Sequence, residues 1–457
     1  MKKLLALLLV VCLAIGVVGC GRPKLMNGDV DGDYEVNLNI DKNIQATLSV
    51  LVPSTDGGRE GKIVDALAKG FKQYFPNVTI QKRAEPITDE FYMDTIGTLV
   101  QSETMPDLVY TNTAMYYFLV SKKVVINLEP YFEATEKANT LDMGNYYENF
   151  FDMGAYEGKR YIIPRSADSV VLVYNKAMLQ EAGINPKTDA RMTNNWTWED
   201  FISVSEDLVK FWDTNREKYA RNYPIRQTVF DWESVWNPIM QSLGANAYEN
   251  GEVAIDSAET REFVDLYKEM VTKKITPAWN SGSMSQFING YTAFELNSIG
   301  PAEYQKIDLL KDNFDFLPFP LVNGENAKIG SGFAGWGISA KSEKRDLAWA
   351  FLQYMISEEG QLAMYTEGEV STPSLLRSLT EEKSWAKGFE SFNLDAFVIH
   401  EEYKISPGYF KGFDASHVFD IQYALQAFTR NCLTPEVSVE ECISKAKTSL
   451  EKAIEEI

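Results

Sequence analysis

The chain is poor in the residues that build metal centres and covalent staples. Among 457 residues there are two histidines, His400 and His417, and four cysteines, Cys12, Cys20, Cys432 and Cys442. None of them falls in a Cys/His cluster at metal-ligand spacing, so no metal is expected. Positive charge is also scarce: 44 Lys and Arg face 65 Asp and Glu, a net charge of −21 with no basic run. Such a body is repelled by nucleic-acid phosphates and anionic lipid, which excludes nucleic-acid binding and electrostatic membrane attachment. The sequence has no G-x-S-x-G nucleophile elbow and no H-E-x-x-H motif. Long apolar runs are confined to the first twenty residues.

That first stretch, MKKLLALLLVVCLAIGVVGC, has two lysines, an apolar run and small residues ending at Cys20. It has the layout of an export signal, and its run is short of the ~20 apolar residues a spanning helix needs. Residues 1–19 are expected to be a signal peptide, placing the remainder outside the cytoplasm. Cys432 and Cys442, ten apart in an exported chain, are a disulfide candidate rather than a metal site.

The whole chain has 45% hydrophobic and 24% charged residues, an ordinary globular balance. Its length allows two or three domains. Residues 20–43 are polar and acidic and are expected to be a tether. Within them DVDGDYEVN imitates the start of a calcium loop, but Tyr34 stands where the sharp turn needs glycine and Ile40 where bidentate ligation needs glutamate. Ala46 to Val52 is a strand run, followed by the polar loop Ser54-Thr55-Asp56. Ile63, Leu67 and Phe71 then recur at helical spacing, and Val78-Thr79-Ile80 starts another strand. This β-α-β order predicts a parallel sheet, with ligands beyond the carboxyl ends of its strands. Asp56 is therefore a candidate site residue, as are Tyr110 and Asn112 at the end of the next short strand.

The segment GKRYIIPRSADSVVLVYNKAML joins two apolar runs through Arg165-Ser166-Ala167-Asp168-Ser169. These polar residues stand between two segments that both favour burial. NKAMLQEAGINP then predicts a helix closed by Gly183, and Thr197 is a helix cap. Gly330, Gly332 and Gly335 match G-x-G-x-x-G, but Trp336-Gly337-Ile338-Ser339 continues as strand rather than helix, which argues against a dinucleotide site. The last third is helical.

Together with MPDLVYTN, the Tyr156 to Lys176 stretch, FINGYTAF from Phe287 to Phe294, and Gly332 to Ser339 followed by AWAFL, these features resemble the extracellular solute-binding proteins of carbohydrate ABC importers, the maltose-binding-protein-like family. The resemblance covers nearly all of the chain after the leader. It implies an α/β fold of two lobes, the type II periplasmic-binding arrangement, with a three-crossing hinge and a ligand cleft between the lobes. It implies crossings near Ser166, Pro320 and Ser371-Thr372-Pro373, hence one lobe of 44–165 with 320–370 and another of 166–319 with 371–457. Val17-Val18-Gly19-Cys20 resembles a lipobox, which implies lipidation of Cys20 and anchoring to the outer face of the cell membrane. The implied partners are a sugar or oligosaccharide and a membrane permease, with no cofactor, no catalysis and a monomeric state.

A sugar site needs flat aromatic faces beside a few fixed polar groups. The resemblance points to Asp168 as a carboxylate for sugar hydroxyls, with Arg165 beside it. Trp232 and Trp236, four apart, share a helix face; each stacks on ligand or packs beneath its helix. Trp279, Trp336 in its Gly-rich flank, and Phe413 with Asp414 in a late Gly-marked loop complete the candidates. The chain reads Glu295-Leu296-Asn297-Ser298-Ile299-Gly300-Pro301 where the resemblance calls for a cleft tryptophan, so maltose itself is not expected. The rival readings are a non-sugar solute such as a polyol phosphate or a peptide-like compound, and a secreted glycoside hydrolase.

Overall fold

The computed structural model describes residues 30–455 apart from 55–57, 88–90, 167, 250, 280–286 and 407–416. The leader, Cys20, Asp56, Phe413 and Asp414 lie outside the described residues.

The first sheet grows from the strand Ala46–Pro53, whose last four residues are buried. It pairs in parallel with Val78–Glu85, from Ala46 opposite Val78 to Pro53 opposite Glu85. The crossover is the helix Arg59–Phe71, which lays Ile63, Val64, Leu67 and Phe71 on the sheet. Leu108–Asn112 joins the other side of the first strand in parallel. Ala334–Ile338 then runs antiparallel to it and carries the short strand Ile163–Pro164 at the edge.

The second sheet has three antiparallel strands, with Val171–Asn175 between Phe294–Asn297 and Phe314–Pro318. The central strand explains its own sequence. Val170, Leu172 and Tyr174 enter one apolar core while Val171 and Val173 enter another. A strand covered on both faces is apolar at every position instead of alternating. The helices Trp198–Asp213, Ala258–Thr272, Val418–Cys432 and Val439–Glu455 build the larger core, and Trp385, Phe392 and Phe397 cover the opposite face. Thr197 caps its helix in a capping box with Asp200, as its position in the sequence suggests.

The apolar cores show where the chain changes lobe. Residues to Ile163 lie in the first core, and Val170 begins the second. The return falls at Ser331–Gly332 rather than near Pro320, because Phe319, Val322 and Ile329 still pack in the second core and Phe333 is the first residue back. The last departure comes between Leu379 and Trp385, although Thr372 does touch the first crossing through a 3.1 Å bond to Ser166 Oγ. The expected tether also needs correction over its described part. Val30 is buried, and Tyr34, Val36, Leu38 and Ile40 lay alternate side chains on the first core. Cys432 and Cys442 are buried free thiols, close enough for one to hydrogen-bond the other. No helix among the described residues is long and apolar enough to cross a membrane.

Candidate functional site

Two adjoining cavities of about 270 and 230 Å³ open where the first crossing meets both lobes. They share Asn112, Asp168, Ser298 and Phe333 as walls. Strand ends bring these residues together: Asn112 closes its strand in the first sheet, and Ser298 follows Asn297 at the end of its strand in the second.

Arg165 is buried and faces Glu60 in the first turn of the crossover helix. Its Nε lies 3.0 Å from both carboxylate oxygens and its Nη2 donates to Oε1 at 2.8 Å. Burial pulls the Arg165 pKa down, but the charge and hydrogen bonds of the Glu60 carboxylate outweigh it and hold the pKa above its ordinary value. The remaining Nη1 donates to Ser166 Oγ at 2.7 Å. Thus the arginine locks the wall of the cleft, and much of its hydrogen-bonding capacity is already used.

Asp168 projects from the crossing itself. Gly332 N–H donates to its Oδ1 and the Ser331 hydroxyl donates to its backbone carbonyl. A Cβ on Gly332 would lie 2.8 Å from Thr113 Oγ1 and 3.4 Å from Asp168 Oδ1, so the cradle needs glycine. Burial pushes the Asp168 carboxyl above the usual carboxylate range, while the Gly332 N–H and the charges of Arg165 and Lys404 pull it back. Asn112, a wall of both cavities, accepts from Ala114 N–H at 3.0 Å through Oδ1. Tyr110, Phe333 and the half-buried Trp232 supply aromatic surface.

Tyr110, Asn112, Arg165, Asp168 and Trp232 are thus brought together as the sequence suggests. Trp236 and Trp336 are not. Each is 1% exposed, Trp236 inside the second core and Trp336 inside the first with its Nε1–H donating to Leu51 O at 2.9 Å. Trp279 lines neither cavity; it packs against the second core beneath Arg430, whose guanidinium carbon is 5.0 Å from the ring centre. Sequence reasoning missed Glu60 and Phe333, and it named Ser298, Ile299 and Thr372 only within a stretch lacking the cleft tryptophan and at a crossing, not as walls of the site. An acid in the first turn of a helix has the pattern of an exposed, dipole-favoured charge, and nothing local signals its distant arginine.

Residues 66–389 match the family of bacterial extracellular solute-binding proteins. The chain belongs to this family. Among the relatives of this solute-binding protein, a maltotriose-binding protein of Pyrococcus abyssi is 24% identical over 213 residues, 44% of this chain and 40% of that protein. The match therefore spans less than half of that relative. An ABC substrate-binding protein from Listeria monocytogenes in complex with cycloalternan aligns with a TM-score of 0.67 at 18% identity, covering 90% of this chain and 99% of that one. A cyclic alpha-maltosyl-1,6-maltose binding protein from Arthrobacter globiformis gives 0.69 at 16% identity, over 89% and 98%. These likenesses show the shared two-lobed α/β fold.

Proposed function

We propose that this solute-binding protein captures a sugar or oligosaccharide outside the cytoplasm and delivers it to the permease of an ABC importer by closing its lobes on the ligand. The observation that carries this reading is the composition of the cleft. A carboxylate, an amide and small hydroxyls (Asp168, Asn112, Ser298, Thr372) stand beside the aromatic faces of Tyr110, Phe333 and Trp232. Sugars present hydroxyl edges and C–H faces, and this set answers both. The names of the relatives, which bind maltotriose, cycloalternan and cyclic maltosyl-maltose, support the same class of ligand. Glu60 is tied to Arg165, so it is a poor general acid or base, which favours binding over glycosidic hydrolysis. The same pairing weakens the case for a phosphorylated solute: of the two arginines at the cavity only Arg59, at its exposed rim, stands clear of a carboxylate among the described residues. The protein works as a monomer held at the outer face of the membrane by lipid on Cys20.

The test is a thermal-shift screen of the protein without its leader and Cys20 against mono- and oligosaccharides, with polyols and organic phosphates alongside. A ligand that binds only the folded state raises the melting temperature by mass action. A stabilising saccharide whose effect is lost in Asp168→Asn is the expected result. A silent saccharide panel with a phosphate that stabilises would overturn the reading, as would turnover of any sugar during incubation.

A further inference from the structure

Asp168 is held from behind by a strand that arrives late in the chain. Lys404–Ile405 runs parallel to Ile329–Gly330, with Lys404 opposite Ile329 and Gly330 opposite Ile405. Ser331 N–H continues the pairing with Ile405 O at 2.9 Å, and Ser331 and Gly332 are the two residues that bond Asp168. The Lys404 side chain turns inward. The residue is 6% exposed, its Nζ donates to Phe397 O at 2.7 Å, and it sits 5.5 Å from the centre of the Phe150 ring. Phe150 belongs to the first core and Phe397 to the apolar cluster on the opposite face of the second sheet, so the ammonium lies at the joint between lobes.

A buried lysine costs more than an apolar side chain of the same length unless acids face it. The charges of Glu401 and Glu402 from its own segment and of Asp168 from the crossing favour its charged form. Glu401 is already held by Arg377, with both guanidinium nitrogens 3.1 Å from its oxygens, and Asp168 also feels Arg165. Burial lowers the Lys404 pKa from 10.5 to about 8, against the pull of these acids.

We infer that Lys404 is a positioning residue for the cleft carboxylate: it stands behind Asp168 without lining the cavity and, anchored at the joint between the lobes, fixes the strand pair and the loop that hold that carboxylate. The binding arm of this inference rests on the saccharide reading; its stability arm does not.

The experiment compares wild type, Lys404→Met, Lys404→Arg and Asp168→Asn, each measured for melting temperature from pH 7 to pH 10.5 and for maltotriose binding at pH 7 and pH 9.5. Between about pH 8 and pH 10.5 the folded state binds fewer protons at Lys404 than the unfolded chain does, so stability gains as pH rises through that window. Wild type should therefore rise relative to Lys404→Met there. In Asp168→Asn the rise should begin at lower pH, because a carboxylate that favours the ammonium has gone. Maltotriose affinity should fall about tenfold in Lys404→Met at pH 7, recover in Lys404→Arg, and fall in wild type at pH 9.5. Parallel melting profiles for wild type and Lys404→Met, or an unchanged onset in Asp168→Asn, would overturn the inference. If wild type does not bind maltotriose, the saccharide reading is what suffers, and the melting profiles still decide the role of Lys404. Should Lys404→Met fail to fold, the Asp168→Asn onset decides it in a protein that keeps the lysine.

Discussion

The two walls of the cleft are built differently. On the first-lobe side the polar groups are already bonded to protein: Arg165 to Glu60 and Ser166, Ser166 to Thr372, Asn112 to the Ala114 N–H. On the second-lobe side the cavity meets Ser298, Ile299 and the half-buried Trp232, carried at the end of a strand and the start of a helix. One wall is fixed before ligand arrives, and the other offers adaptable surface. Rigid groups cost less entropy on binding than mobile ones, so the first wall is suited to receive the ligand and the second to close over it.

The largest effects should come from breaking the fixed wall. Glu60→Ala leaves the Arg165 guanidinium buried without its partner, and loss of one member of a buried pair costs about 3–5 kcal/mol. Urea unfolding should show that loss with no ligand present. Trp336→Ala is the control from the same lobe: it empties the core beneath Tyr110, whose ring lies edge-on 5.7 Å away, and should cost about 3–5 kcal/mol as well. If Glu60→Ala unfolds within about 1 kcal/mol of wild type, the first wall is not locked and the contrast between the walls fails.

Next in size is the carboxylate that lines both cavities from the crossing. Asp168→Asn keeps the shape and the bond from Gly332 but gives up the charge. A charged hydrogen bond contributes about 1.5–3 kcal/mol, so calorimetry should find saccharide affinity lowered roughly 10- to 100-fold. An unchanged affinity would remove Asp168 from the site.

The second wall gives a smaller and more specific comparison. Trp232 and Trp236 are four residues apart, yet one lines the cavity and the other is in the core. Trp232→Ala should weaken saccharide binding about 3- to 10-fold, the worth of an aromatic contact beyond its area, with little change in unfolding. Trp236→Ala should do the reverse. If both variants lose only stability, the second wall has no stacking platform there.

These tryptophans also show what was legible in the sequence. The β-α-β unit from Ala46 to Glu85 was, because its apolar periods switch cleanly between strand and helix. The crossover at Arg165–Asp168 was legible only through the resemblance to the solute-binding family, because a polar break between two buried runs also suits a plain surface turn. Trp336 misled because glycines beside it suggest a flexible loop. They serve packing instead: a Cβ on Gly335 would come within 2.1 Å of Ile163 O on the paired strand. The stretch from Val30 to Ile40 carried a usable signal, since Tyr34, Val36, Leu38 and Ile40 alternate with polar residues, but its acidic composition masked it. Glu60 was out of reach, since its meaning lies in a partner far along the chain.

The smallest expected effect tests whether the walls are joined only at the crossings. Arg377 follows Leu376, in the first core, and donates to Tyr146 O at 3.1 Å, lies 4.3 Å over the Tyr147 ring, and pairs with Glu401, a few residues past Phe397 on the far side of the second sheet. Asn149 adds a 3.2 Å bond to Glu401 O. This tie spans the lobes, but the Arg377 side chain is 38% exposed, so water and salt screen it. Arg377→Gln should cost about 1 kcal/mol or less, with a difference from wild type that shrinks in high salt. Its informative readout is saccharide affinity. If the tie favours one arrangement of the lobes, the variant shifts affinity while its unfolding barely moves. If affinity and unfolding both stay put, the walls meet through their crossings alone, and the difference between them is set entirely by what each lobe places in the cleft.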